Sequence, residues 1–174
     1  MKKLVLAALA TLTLIASPAL ADTAIGVVNF GKITQTSKAA TAVQNQVKAK
    51  QKAMQSEADA KEKALLAEDQ ALVKQKDGAD KAAFEAKVKA FREKAAKEQR
   101  AWQEKKVGLN KSTGEALDTI QKSLVEVVKQ VAAEKKLTLV ISSAQVLYND
   151  PALDITDEVL KRLDAKLPTV TVKF

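Results

Sequence analysis

Between residues 38 and 136 the large apolar side chains are sparse but regularly placed. Val47, Met54, Leu65 and Leu72 form one set, and Phe84, Phe91, Trp102 and Leu109 a second. Within each set the steps are seven and eleven residues, which keep the members on one stripe of a helix in the manner of a coiled-coil seam. The residues between them are mostly Ala, Lys, Glu, Gln and Leu, the strongest helix formers, and the stretch contains no Pro. Asp77-Gly78 interrupts it: Gly78 suits a left-handed helix cap, and Asp80 is a natural cap for a following helix. The two sets are mirrored about Gly78, Leu72 opposite Phe84, Leu65 opposite Phe91, Met54 opposite Trp102 and Val47 opposite Leu109. This mirroring predicts two long helices folded antiparallel about a turn at 77–79, with those eight residues as the seam. The seam is thin, because Lys61 mirrors Ala95, Ala58 mirrors Glu98 and Glu68 mirrors Val88. At about 0.8 kcal/mol per buried methylene it holds the arms only modestly, so an extended, flexible hairpin is expected. The second arm outruns the first, and its last part carries a wide aliphatic face, Leu117, Ile120, Leu124, Val127, Val128 and Val131, that is expected to pack on something other than the first arm.

The ends of the chain change period from helical to alternating. Ile25-Gly26-Val27-Val28 reads as a strand, residues 32–36 as a single helical turn, and Ser37 as the cap of the first arm. Residues 137–141 read as a second strand and 145–148 as a third; Asn149-Asp150-Pro151 is a turn, and a last helix runs to about Asp164 with Thr156 as its cap. The alternating tail 167–174 is expected to be an edge strand or to fray. Three strands this short cannot build an independent core, so the body, residues 22–37 and 137–174, is expected to be shared between copies of the chain. Cyclic assembly would close the strands into a small barrel, with Ile25, Val27, Leu137, Leu139, Ile141, Val146 and Tyr148 at the oligomer body. The fold class is therefore mostly α with a small β body, a coiled-coil tentacle projecting from a small oligomeric β-barrel.

Charge and chemistry narrow the function. Residues 1–21 combine Lys2 and Lys3, an apolar run and Ala19-Leu20-Ala21, the signature of a signal peptide cleaved after Ala21, which predicts a periplasmic protein. With no Cys the exported chain has no disulfides, and oligomerisation is the natural substitute. Without Lys2 and Lys3 the net charge is 27 minus 21, or +6, and the arms alone carry 22 basic against 15 acidic residues, or +7. Such a surface attracts anionic partners; export argues against nucleic acid. Lys87, Lys89, Arg92, Lys94, Lys97, Arg100, Lys105 and Lys106 on the second arm are the candidate contacts. There is no His, no Cys, no glycine-rich phosphate loop and no nucleophile elbow, so no enzyme, cofactor or metal site is expected. Glu57, Asp59, Glu62, Glu68 and Asp69 alternate with Lys in the pattern of helical ion pairs. Phe84, Phe91 and Trp102, each with an aliphatic mirror, read as seam rather than as a ligand box.

In order, these parts resemble the Skp family of OmpH-like periplasmic chaperones. The resemblance rests on the first strand Ile25-Gly26-Val27-Val28-Asn29, the long Ala/Lys/Gln hairpin, Leu137 to Ile141, Val146-Leu147-Tyr148-Asn149 and Asp154-Ile155-Thr156 with Val159-Leu160-Lys161. It implies a homotrimer whose arms surround a cavity, and an ATP-independent holdase that keeps unfolded outer-membrane proteins soluble. It also implies a basic patch for lipopolysaccharide or an anionic membrane surface, for which Arg92, Lys94, Lys97 and Arg100 are the candidates. The alternative is a structural coiled-coil spacer or assembly factor of the envelope, in which the lysines only solvate the helices.

Overall fold

The computed structural model describes residues 24–76 and 80–174; the signal peptide and the 77–79 turn expected from the sequence lie outside them. Strand β1 (Ile25–Val28) leads into a short helix α1 (Phe30–Thr36). The two arms are α2 (Lys38–Gln75) and α3 (Lys81–Glu134). At 1.5 Å per residue they extend roughly 57 and 81 Å. Each starts where a short polar side chain satisfies an otherwise unpaired amide. Ser37 Oγ accepts from Ala40 N at 3.3 Å, and Asp80 Oδ2 accepts from Ala83 N at 3.1 Å. Strand β2 (Leu139–Ser142) and helix α4 (Thr156–Lys166) follow.

α3 ends in a Schellman motif built without glycine. Leu137 N donates to Ala132 O at 2.8 Å and Lys136 N to Ala133 O at 3.2 Å, while Lys136 takes a left-handed φ of 54°. The reversal feeds Leu137 back over β1, where a Cβ on Gly26 would come within 2.7 Å of Leu137 Cδ1. β2 can then pair with β1 in parallel, Ile25 opposite Leu139 and Val27 opposite Ile141. On the other side of β1, Ile155 N donates to Val27 O at 2.9 Å.

The core corrects two expectations. The root of α3 does pack on the first arm: Ile120, Leu124, Val127 and Val131 are buried with Ala39, Ala40 and Val43 of α2. Alanines at the start of α2 let the two helices approach closely. Ile33 of α1 and Val159 and Leu163 of α4 complete the cluster, so a single chain closes a core of its own, in which helices supply what the strands cannot. α4 is latched to α3 by Lys166–Glu126 at 2.5 Å and by Arg162, which reaches both Glu134 (2.7 Å) and Glu158 (2.5 Å).

Three local expectations also change. Residues 145–148 are not a strand: 143–145 form a 3-10 turn, and Leu147 and Tyr148 point to solvent. Thr156 is not the cap of α4: Ile155 holds the cap position without a side-chain bond to the helix, Asp154 Oδ1 accepts from Thr156 N at 2.8 Å just ahead of it, and Thr156 Oγ1 accepts from Asn29 N at 2.9 Å and ties α4 to the end of β1. The tail is neither an edge strand nor frayed. It lies along the bases of the arms with Val170 and Val172 buried, and the side-chain carboxamide of Gln46 bonds Val170 O and Val172 N.

Candidate functional site

Along the arms the less exposed positions step by four and three residues, Met54, Ala58, Lys61, Leu65, Glu68 and Leu72 on α2 and Phe84, Val88, Phe91, Ala95, Glu98 and Trp102 on α3. This is a heptad seam in which alanine and charge occupy five of the twelve places. Only Met54 and Leu109, near the base, are buried; Val47, Leu65, Leu72, Phe84, Phe91 and Trp102 are half-buried. Where the small residues fall, the arms leave a groove of about 760 Å³ between them. Its apolar lining includes Leu65, Leu66, Phe91, Ala95 and Trp102. Leu66 is 57% exposed, and Val73 and Val107 on the arms are more exposed still. Leu66 sits one residue off the stripe, so periodicity passes over it; the Leu65-Leu66 pair was the signal available for it.

Charges cross the seam as ion pairs. Lys61 meets Glu98, Lys94 meets Glu68 and Lys105 meets Glu57, each at 2.5 Å, and Glu57 also lies 3.2 Å from Lys61 on its own helix. Hydrogen bonds from Lys105 and then Lys61 hold the Glu57 carboxyl below its ordinary pKa, and those from Glu98 and Glu57 hold Lys61 above its own. Each pair is partly solvated and individually weak, so the network sets the register of the arms more than it adds stability.

The groove wall contains Glu57, Glu62, Asp69 and Glu98 against Lys61 and Lys105, so its formal balance is 2 minus 4, or −2. The excess positive charge of the arms therefore lies outside the groove. Of the eight basic candidates on α3, Lys94 and Lys105 are committed to ion pairs and Lys87 donates to Gln75 Oε1 at 2.8 Å. Lys89, Arg92, Lys97, Arg100 and Lys106 are exposed and make no ion pair among the described residues. Helical spacing puts Lys89, Lys97 and Arg100 on the face of α3 turned away from the seam.

The body carries a second apolar surface. Val27 is buried; Ile25, Leu137, Ile141 and Val146 are half-buried; Leu139 is 48% and Tyr148 80% exposed. Leu147 and Leu153 are exposed as well, as are Leu117 and Val125 on the α3 root. Among the described residues no group of His, Cys, Asp and Glu has the arrangement of a metal site, and no helix is long and apolar enough to cross a membrane.

A family model described as outer membrane protein (OmpH-like) matches residues 24–163. Among solved structures, a candidate outer membrane chaperone (OmpH-like) from Caulobacter crescentus is similar, with a TM-score of 0.81 and 26% identity over 89% of this chain and 90% of that one. No curated protein matches.

Proposed function

Because this chain belongs to the OmpH-like outer membrane protein family, we propose that it is an ATP-independent periplasmic holdase that binds unfolded outer-membrane proteins between its arms and prevents their aggregation. The observation that carries the reading is the groove between the arms, with Leu66 exposed and Phe91 and Trp102 half-buried on its wall. A soluble two-helix arm would ordinarily close such side chains into a continuous seam; here charge and alanine at the seam keep the groove open. Weak, repeated apolar contacts of this kind suit reversible capture of many sequences. The outward basic face, Lys89, Lys97 and Arg100, steers acidic chains toward the arms without contributing to the groove itself. The same face, with Arg92 and Lys106, is the surface available to lipopolysaccharide or an anionic membrane.

The arms act together in a homotrimer, with the strands of three copies closing into a small barrel. Supporting this are the exposed Leu139 of β2 and the exposed Leu147, Tyr148 and Leu153 of the body, apolar side chains that a monomer would leave in water.

The test is light scattering with small-angle X-ray scattering on the mature protein, alone and with a urea-diluted outer-membrane barrel protein, in the absence of ATP. An elongated trimer that holds the client in soluble form is the expected outcome. A monomer that leaves the client to aggregate would overturn the reading and favour a structural spacer.

A further inference from the structure

Residues 167–174 lie beyond the family-matched region, yet they are seated on the arms in a specific way. Among the described residues the tail past Leu167 makes no hydrogen bond to the backbone of another element. Its main contact is Gln46, whose Nε2 donates to Val170 O at 2.7 Å and whose Oε1 accepts from Val172 N at 3.0 Å. One carboxamide thus bonds the tail as a neighbouring β-strand would, and it reads backbone, not side chains. Ser112 Oγ donates to Lys173 O, and Lys50 Nζ lies 5.1 Å from the Phe174 ring centroid.

The side chains follow the pleat. Val170 and Val172 are buried against the arms, while Thr169, Thr171 and Lys173 face solvent. Phe174, two residues further on, borders a cavity of about 210 Å³ lined by Met54, Leu109 and Gly108, and stays 51% exposed. The seat therefore selects an extended chain with apolar residues at alternate positions followed by an aromatic one. That is the pattern of a strand with one apolar face, the commonest element of a β-rich client.

We propose that this seat is a binding site for such a strand-forming segment of a client, and that residues 167–174 occupy it in cis as an exchangeable stand-in. The inference rests on the holdase reading above. Val170 and Val172 belong to the core cluster, so in the exchange the incoming segment takes over the core surface that they cover, while Lys166 remains paired with Glu126 and Arg162 with Glu134.

The probe is a fluorescein-labelled peptide of the sequence Thr-Val-Thr-Val-Lys-Phe, with a permuted peptide that groups its two Val residues as control. The chain has no Cys, so Ser112→Cys with Lys173→Cys gives a full-length protein in which a short reducible cross-linker can lock the tail. The open form should bind the peptide and prefer it to the permuted one; the locked form should bind at least tenfold more weakly and recover on reduction. Equal binding by open and locked forms, equal binding of both peptides, or no binding by the open form overturns the proposal. Client aggregation is followed in parallel with the open form. Protection that persists while the peptide results fail sinks the tail seat alone, whereas loss of protection sinks the holdase reading whatever the peptide does.

Discussion

Filling the groove between the arms should stabilise them and impair capture together. Ala58 and Ala95 both line it, on α2 and α3, and both are partly exposed. Replacing each by Leu adds three carbon groups, or about 2.4 kcal/mol per site at roughly 0.8 kcal/mol each if burial were complete. With about half of that area withdrawn from water, the double substitution contributes about 2.4 kcal/mol in total. The cavity of about 760 Å³ accommodates the added volume, so overpacking does not offset the gain. Local opening of the arms sets amide exchange there, and 2.4 kcal/mol corresponds to about a 50-fold slowing. Hydrogen exchange over 55–70 and 90–105 measures this directly, and a client-aggregation assay on the same sample measures function. Unchanged exchange would mean that the seam does not govern arm opening. Slower exchange with undiminished client protection would remove the groove as the capture surface.

Two further expectations concern the fold. Lys136→Gly should stabilise the protein by about 1 kcal/mol, because the left-handed residue of the Schellman motif carries a Cβ penalty that glycine lacks. A rise of about 2–4 °C in the calorimetric midpoint is expected; a fall would show that the Lys136 side chain matters more than its backbone. Stability should be flat near neutral pH and fall in acid. Hydrogen bonds from Lys105, Lys166, Arg162 and Lys135 hold the Glu57, Glu126, Glu134 and Glu158 carboxyls below their ordinary value. The stability they contribute is complete above about pH 4.3 and is lost as pH falls through their depressed values. Lys32 and Lys61 are raised by Asp157 and Glu98, so their share is lost only above about pH 10.4. Thermal midpoints by circular dichroism across this range test the signs. A step between about pH 5.5 and 8, where a chain without His has no ordinary side-chain titration, would refute them.

The sequence by itself determined what depends on near neighbours. Stripes of sevens and elevens in a run without Pro specify two long helices, and Ser37 and Asp80 specify where they start, because a cap bonds an amide only three residues on. The thinness of the seam was legible as well, since it follows from which residues the stripe contains. Tertiary structure decided the rest. Residues 145–148 and 167–174 alternate much as β1 does, yet one follows a 3-10 turn and the other lies on the arms, because alternation records a pleat and not the partner that would complete it. Gln46 shows no pattern in the sequence; it becomes a clamp only when α4 delivers the tail 124 residues away. The core of the single chain escaped a count of strands for the same reason: Ala39, Ala40 and Val43 meet Ile120, Leu124 and Val159 only once both arms and α4 are in place. The groove, finally, exists because cross-arm ion pairs and small residues hold two helices side by side without closing the space between them, an outcome of packing that no single stretch of the chain encodes.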